Sequence, residues 1–463
     1  MNHPAILSRS PWVTGTFIGT YATAVALAPD ANTRLLLSTP LLVVPLVWWI
    51  LGGAERWLAA FFLAAWLLPP LPVAMGNSGP HVVLVFAALG AWIGLIRLNE
   101  WRLPWDSVSV PLLGLFACLC LSLGVALLYS GPVIAAASFA RVLLFGISVF
   151  IYFYVRSLPA QLSAPFIRLL FCTAAISALF ACIDFYYQFP APAGFGPQFV
   201  YLDTGVFRRA QGLFYEASTL GNFCAFFLVM IASALLVKRE QRVLPPWALL
   251  GGAIIFGGAL ILSYSRGSLV NLLVATSVLA WLHRSRLRWT RVLPALALSI
   301  VVGGLALFWF FPHFLWEYWT RIYASARFFF ESPNGVLSGR VQSWAFLTDF
   351  LVEHPWHALV GVGYKTLPYS DFLGATTIAD NTYLSMFVET GIAGLAALLA
   401  LNAGILRASW RAARSLDAYR SFLGTWILCF WAGETVQMFS GDILTYWRVI
   451  PAYFLVLALA SKS

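Results

Sequence analysis

The chain has 463 residues, of which 61% are hydrophobic and only 10% carry a charge. Soluble domains are roughly a quarter charged, so this composition excludes a soluble enzyme and predicts an all-α polytopic membrane protein. The formal charge of +10 is typical of a membrane protein with basic cytoplasmic loops, and we expect no nucleic-acid partner.

Apolar runs long enough to cross a bilayer follow one another along most of the chain. Candidate spans lie at 12–28, 34–53, 57–75, 80–97, 108–130, 134–156, 166–188, 212–237, 246–264, 267–283, 291–311, 382–406, 420–438 and 443–461. We therefore predict about 12–14 transmembrane helices. They would form a single integral membrane domain over 1–463, with N-terminal spans in 1–190 and a core in 191–463.

Basic residues alternate between successive loops of this prediction. If the N-terminus is cytoplasmic, most arginines fall on cytoplasmic segments, whereas the short outside loops "GNSGP", "SGP" and "SGD" carry no basic residue. The positive-inside rule then predicts that both termini are cytoplasmic.

One outside segment, 312–381, is much longer than the others, and long loops in compact proteins are usually functional. Its stretch "SGRVQSWAFLTDFLVEHP" has apolar residues at helical spacing. This predicts an amphipathic helix at the outer membrane surface, opened by Ser338 or Gly339 and closed by Pro355. The preceding "WEYWTRIYASARFFF" is aromatic and basic, which also suits a membrane interface.

Arginines on the predicted outer side of the membrane are informative, because the positive-inside rule disfavours basic residues there. They are Arg208, Arg209, Arg266 and Arg340. The planar guanidinium matches phosphate oxygens, so a cluster could hold a pyrophosphate whose lipid tail stays in the bilayer. Alternatively, each arginine reaches lipid headgroups or pairs with an acid. Arg266 lies in a very tight turn, "ILSYSRGSLVNLL", and this favours ligand binding for that residue.

Carboxylates on the same face are candidate general bases. They are Glu216, Asp380, Glu389 and Asp442. Asp380 also suits the N-cap of the helix that starts at "NTYLSMFVE". For Glu389 and Glu434, inside predicted spans, an interhelical hydrogen bond or a pair with Arg141 or Arg448 is the alternative. Neither the histidines of the long loop nor the six cysteines have metal-ligand spacing, so we expect no metal, other cofactor or disulfide.

Four stretches, taken in order, resemble the O-antigen ligase and polymerase superfamily of bacterial envelopes. They are "GLFYEASTLGN", "LSYSRGS", "SGRVQSWAFLTDFLVEHPWHALVGVGY" and "ADNTYLSMFVETGIAGL". The resemblance covers roughly 208–406 and implies a metal-independent, inverting glycosyltransferase of the bacterial inner membrane. The donor would be a glycan on undecaprenyl pyrophosphate, attacked at its anomeric carbon by an acceptor sugar hydroxyl on the periplasmic side. By motif position, Arg266 and one or both of Arg208 and Arg209 would hold the pyrophosphate.

The ligases of this superfamily typically have a histidine before the asparagine of "HNxYL", where it is proposed to activate the acceptor. This chain has Asp380 there, and a carboxylate accepts a proton at neutral pH less readily than an imidazole does. The difference favours a polymerase of O-antigen or exopolysaccharide repeat units over a ligase that transfers to lipid A-core. A transporter or flippase is the alternative from another class, but it would place its polar groups near the bilayer midplane.

The predicted site follows from these comparisons of motif and topology. The catalytic candidates are Arg266, Asp380 and Arg209, and the candidate substrate-binding residues are Arg208, Arg340, Asn381, Tyr383, Glu216 and Glu389. The expected partners are the lipid-linked glycan donor, an acceptor glycan (a lipid-linked repeat unit or lipid A-core) and membrane lipids. A polysaccharide-assembly flippase or chain-length regulator is a further candidate.

Overall fold

A computed structural model of the chain describes residues 11–71, 80–101, 104–158, 162–191, 195–202, 205–285, 339–369 and 377–462, with scattered positions between 301 and 331. The predicted span at 291–311 and the stretch "WEYWTRIYASARFFF" lie largely outside the residues described, as do 332–338 and 370–376 of the loop 312–381.

The described elements are mostly helices. The α-helices are α1 (Pro11–Ala26), α2 (Ala31–Leu51), α3 (Ala54–Leu67), α4 (Val83–Ile96), α5 (Ser109–Ser157), α6 (Ala164–Tyr187), α7 (Ala217–Leu235), α8 (Pro246–Leu262), α9 (Arg266–Leu282), α10 (Arg340–Glu353), α11 (His357–Val360), α12 (Thr382–Ala413), α13 (Ala418–Gln437) and α14 (Ile450–Ser461). One antiparallel hairpin joins β1 (Phe199–Leu202) to β2 (Gly205–Arg208). The predicted all-α polytopic membrane fold is confirmed.

Four of the described helices are long and apolar enough to cross a membrane, by length and composition: α5, α6, α7 and α12. Shorter apolar helices include α4, α8, α9 and α14. The predicted amphipathic helix of the long loop is also present, as α10. The number of spans remains a prediction of 12–14.

The chain divides into two compact units, 1–60 and 61–463. In the first, the Asp30 side chain caps α2 by accepting from the Thr33 N–H at 2.5 Å.

The second unit, 61–463, contains the core. There α7 packs on α8 and α9, and α13 packs on α9, α12 and α14. The centre of this bundle is aromatic: the ring of Phe226 lies 4.4 Å from that of Trp426 and 4.5 Å from that of Tyr453.

The element α5 consists of two antiparallel helices rather than one long helix. Its backbone leaves helical geometry at Gly131, with φ 79° and ψ 173°. Arg156 near its end forms a 2.8 Å salt bridge with Asp106, just before its start. A straight helix would hold these residues about 75 Å apart at 1.5 Å per residue. The two predicted spans 108–130 and 134–156 are therefore present as the two arms of a hairpin.

The element α12 also reverses, and here the prediction of a single span over 382–406 is wrong. The backbone turns at Gly391, with φ 72°. Asn402 donates to the Tyr383 hydroxyl at 3.4 Å, although 19 positions separate them, which is about 28 Å along a straight helix. The stretch 382–390 is thus a short helix that folds back on the longer helix 392–413. The hydrophobic pattern did not reveal the reversal because both arms are apolar.

Candidate functional site

The site is built on the three-residue connection between α8 and α9. Tyr264 occupies the left-handed region at φ 52°, and the Ser265 side chain caps α9 by accepting from the Ser268 N–H at 3.4 Å. Arg266 is the first residue of α9, as the tight turn in the sequence predicted. A helix N-terminus presents free N–H groups and a partial positive charge, so the backbone and the side chain here both favour an anion.

Arg209 reaches this turn from the β1–β2 hairpin. The backbone N–H of Ala210 donates to the Leu262 carbonyl at 2.9 Å. The Arg209 Nε donates to the Ser263 carbonyl, also at 2.9 Å. These two bonds fasten the segment after β2 onto the end of α8, so Arg209 and Arg266 belong to the same connection.

Arg340 comes from the first turn of α10 and binds Asp380. Its Nε and Nη2 both donate to the Oδ2 of Asp380, at 3.2 and 3.1 Å. The Asp380 side chain is 43% exposed and that of Arg340 is 26% exposed. The pair is therefore fixed in place while the carboxylate stays open to a ligand.

The N-cap of α12 is Asn381, which corrects the assignment of that role to Asp380. The Asn381 side chain accepts from the N–H groups of Tyr383 and Leu384, each at 3.1 Å. Asp380 precedes the cap with φ 43°, in the left-handed region. Because the cap uses the Asn381 oxygen, the carboxylate of Asp380 remains available for Arg340.

We expect Asn381→Ala to lower the free energy of unfolding by about 1 kcal/mol, because the first turn of α12 loses its cap. Since the same residue fixes the backbone next to Asp380, glycan transfer should fall severalfold as well. The matched control is Asp417→Ala, because Asp417 caps α13 by accepting from Tyr419 and Arg420. Thermal unfolding in detergent should show equal losses for both variants, with transfer reduced only by Asn381→Ala. Equal transfer rates in the two variants would show that the cap does not position Asp380.

Five charged side chains share one electrostatic environment, and we call this group the arginine cluster: Arg209, Arg266, Arg340, Glu216 and Asp380. Burial lowers the pKa of Arg209, the Glu216 carboxylate raises it, and the charges of Arg266 and Arg340 lower it further. Burial raises the pKa of Glu216, against a hydrogen bond from the Thr219 hydroxyl at 2.7 Å. The cluster thus combines three cations with two acids on connections between helices.

Tyr446 adjoins the arginine cluster, and the sequence did not predict it as a site residue. Its side chain is 4% exposed. Burial raises its pKa well above the ordinary tyrosine value, and the negative charges of Glu216 and Asp380 raise it further. No pattern in "DILTYWRV" indicates this position, since the loop reaches the cluster only through tertiary packing.

Other predicted site residues have different partners. Arg208 points to α6, where its Nη2 lies 3.3 Å from Asp184 Oδ2. Tyr383 donates to the Thr435 carbonyl at 2.9 Å. Together with Trp344 and Asn381, Tyr383 also lines a shallow groove between α10 and α12.

Glu389 lies in a buried ion group with Lys365 and Asp442. Its salt bridge is with Lys365 rather than with Arg141 or Arg448, and Arg141 borders the group by donating to the Lys365 carbonyl at 3.1 Å. Glu389 is 2% exposed and Lys365 is 7% exposed. The Lys365 Nζ contacts the Asp442 carboxylate and lies 3.8 Å from Glu389 Oε2. This group joins the loop after α11 to the reversal of α12. A lysine inside the otherwise apolar "GVGYKTL" was the available signal for it.

Glu434 follows the predicted interhelical alternative. It is fully buried, and its Oε2 accepts from the side-chain amides of Asn222 at 2.7 Å and Asn271 at 2.5 Å. Arg448 instead donates to backbone carbonyls, including that of Leu68 at 3.1 Å. Within the described parts of the chain, no three His, Cys, Asp or Glu side chains come together as a metal site would need.

Comparison with known proteins identifies one family. Residues 251–399 match the family model described as O-Antigen ligase. The match includes Arg266, Arg340 and Asp380 and excludes Arg209 and Glu216, which lie nearer the N-terminus. No curated protein matches the chain closely enough to count as a relative. The matched segment contains the α8–α9 turn and the start of α12, and it supports the O-antigen ligase and polymerase superfamily for this multi-pass membrane protein.

Proposed function

We propose that the protein transfers a glycan from undecaprenyl pyrophosphate to an acceptor sugar hydroxyl. The match of residues 251–399 to the O-antigen ligase family supports a membrane glycosyltransferase-type enzyme. The observation that carries the finer proposal is the convergence of Arg209, Arg266 and Arg340 with two acids at one end of the helices. By the positive-inside rule this end faces the periplasm of a bacterial inner membrane, with both termini cytoplasmic.

The arginines suit the leaving group of such a reaction. As the anomeric bond to the lipid pyrophosphate breaks, negative charge builds on the phosphate oxygens and positive charge on the sugar. Fixed guanidinium groups stabilise those oxygens without moving, and each such donor is often worth about 3 kcal/mol in the transition state. Arg209 and Arg266 are proposed to hold the pyrophosphate, aided by the N-terminus of α9.

The two acids are proposed to act on the acceptor. Burial raises the pKa of Glu216, and a carboxyl group with a raised pKa is better matched to general-base chemistry near neutral pH. Glu216 would take the proton of the attacking hydroxyl. Asp380, held by Arg340 at 3.1 Å, would orient that hydroxyl on the face of the sugar opposite the leaving group, so the configuration inverts.

A polymerase is the preferred form of this activity. Asp380 stands where the ligases of the superfamily typically have histidine, so the acceptor is proposed to be another lipid-linked repeat unit. A flippase or chain-length regulator of the same assembly would be a partner. Transfer to lipid A-core by a ligase is the second candidate, supported by the description of the matched family.

A deletion strain separates these activities on a gel of its envelope glycans. Loss of a polymerase should leave single repeat units on the core or on the lipid carrier. Loss of a ligase should instead leave long polymer on undecaprenyl pyrophosphate. Restoring the gene should restore the wild-type ladder. Unchanged glycans together with a transport defect would refute glycosyl transfer and favour the transporter alternative.

A further inference from the structure

A cavity of about 270 Å³ lies between the C-terminal end of α6 and the β1–β2 hairpin. We call it the hairpin cavity. It combines aromatic rings, a carboxylate, a guanidinium and amide groups. The residues that carry the argument are Phe180, Asp184, Gln188, Phe189, Arg208 and Gln211.

The hairpin cavity adjoins the arginine cluster across a single strand. Successive side chains of a strand point to opposite faces. Arg208 is the last residue of β2, and Arg209 continues the extended segment by donating its N–H to the Gln198 carbonyl at 2.8 Å. Arg209 binds the α8–α9 turn through the Ser263 carbonyl, whereas Arg208 lines the cavity. A molecule held at the cluster could therefore extend into the cavity around the edge of the hairpin.

A salt bridge holds the polar groups of the cavity in place, but one of their hydrogen-bond donors has no partner among the described residues. Arg208 and Asp184 form a 3.3 Å salt bridge, with side chains 15% and 11% exposed. The Nε of Arg208 is buried and has no hydrogen-bond partner among the described residues. A buried donor without a partner is costly, so a ligand with acceptor groups would be favoured here.

The apolar groups of the cavity form flat surfaces. The rings of Phe180 and Phe189 stack with centroids 6.0 Å apart and planes inclined by 16°. Phe189 remains 45% exposed. A sugar ring has apolar C–H faces that pack on aromatic rings and a rim of hydroxyls that bind carboxylate, guanidinium and amide groups. Pockets for drug-sized ligands measure about 300–1,000 Å³, so the cavity suits one sugar ring.

We propose that the hairpin cavity binds one non-reacting sugar unit of the glycan substrate. The proposal rests on the proposed function, because it identifies which part of that substrate lies beyond the arginine cluster. By holding this neighbouring unit, the cavity would select the repeat unit and place its reacting end at Arg209 and Arg266.

Exposed aromatic residues at a helix end can also anchor a protein at the membrane interface. Tyr186 provides the matched control, since it is 75% exposed, lies in the last turn of α6 three residues before Phe189, and does not line the cavity. An interfacial role would make Tyr186 and Phe189 equivalent. A sugar-binding role requires that they differ.

The test uses the purified full-length protein in lipid nanodiscs. The probe is the lipid-free repeat-unit oligosaccharide, released by mild acid from the host's own lipid-linked intermediate. Binding is measured by saturation-transfer NMR and titration calorimetry. We expect Phe189→Ala to weaken binding at least about tenfold, consistent with loss of one buried ring contact, and Phe189→Tyr to restore it. Gln188→Asn should also weaken binding, and Tyr186→Ala should stay within about twofold of wild type.

The outcomes separate the two proposals. Arg266→Lys should reduce transfer by at least about 100-fold but bind the oligosaccharide normally, because the probe carries no pyrophosphate. If the wild-type protein binds the probe but transfers nothing, the proposed function fails and the sugar site stands. The sugar site is refuted if the wild type does not bind the probe, if Phe189→Ala and Gln188→Asn bind as wild type does, or if Tyr186→Ala causes an equal loss.

Discussion

Replacing Arg266 with lysine should reduce glycan transfer by at least about 100-fold, the usual effect of removing one preorganised donor from a transition state. Lysine keeps the positive charge but not the planar fork that matches two phosphate oxygens. Arg266 is the first residue of α9. The helix fixes its backbone, so the backbone cannot move to make up for the hydrogen-bond donors that lysine lacks. Transfer is measured in proteoliposomes that contain the lipid-linked donor, at equal amounts of folded protein.

The matched control for this change is Arg168→Lys. The Arg168 Nε donates to the Val243 carbonyl at 2.7 Å, near the start of α6 and before α8, at the other end of these helices from the arginine cluster. We expect this control to transfer at the wild-type rate. Arg209→Lys should resemble Arg266→Lys. Full polymer output from Arg266→Lys at equal expression would show that the guanidinium does not hold the pyrophosphate.

Lys365→Met should destabilise the protein by about 3–5 kcal/mol, because it removes one partner of a buried ion group and leaves the other partners unpaired. Lys365 contacts Asp442 and lies 3.8 Å from Glu389, which is only 2% exposed. A methionine fills similar volume, so the loss comes from the uncompensated carboxylates rather than from a cavity. The measurement is the thermal unfolding midpoint in detergent together with the yield of monodisperse protein.

Two further variants make this result specific. Lys238→Met changes a lysine that is exposed, and its midpoint should match the wild type. The triple variant Lys365→Met, Glu389→Gln, Asp442→Asn removes the buried charges together and should recover much of the lost stability. If Lys365→Met alone unfolds at the wild-type temperature, the ion group contributes nothing to the fold.

Much of the helix pattern could be predicted from hydrophobicity, because each span needs about 20 apolar residues whatever it packs against. The tight turn before Arg266 and the amphipathic helix α10 were also predictable, because both depend on local sequence. At the end of β2, the alternation of side chains separates Arg208 from Arg209, the residue that follows the strand. That separation depends on the strand β2, which the hydrophobic pattern does not predict.

The tertiary contacts of the site were not predictable in the same way. The pairing of Lys365 with Glu389 and Asp442 joins three segments that are distant in the chain. The reversal of α12 depends on Gly391, where an added side chain would lie 2.1 Å from the Leu359 carbonyl oxygen. Glycine is required there by a neighbour from another segment and by a left-handed φ, and neither is visible in the pattern "ETGIAGL".

The reversal at Gly391 also determines whether the chain traverses the bundle an odd or an even number of times after Asp380. The short helix 382–390 returns the chain to the end from which it left, so only the helix 392–413, α13 and α14 traverse the bundle after Asp380. Their far ends meet, since Arg420 donates to the Ala460 carbonyl at 3.2 Å. Three traversals are an odd number. A reporter fused after Lys462 would therefore report the face opposite to the arginine cluster.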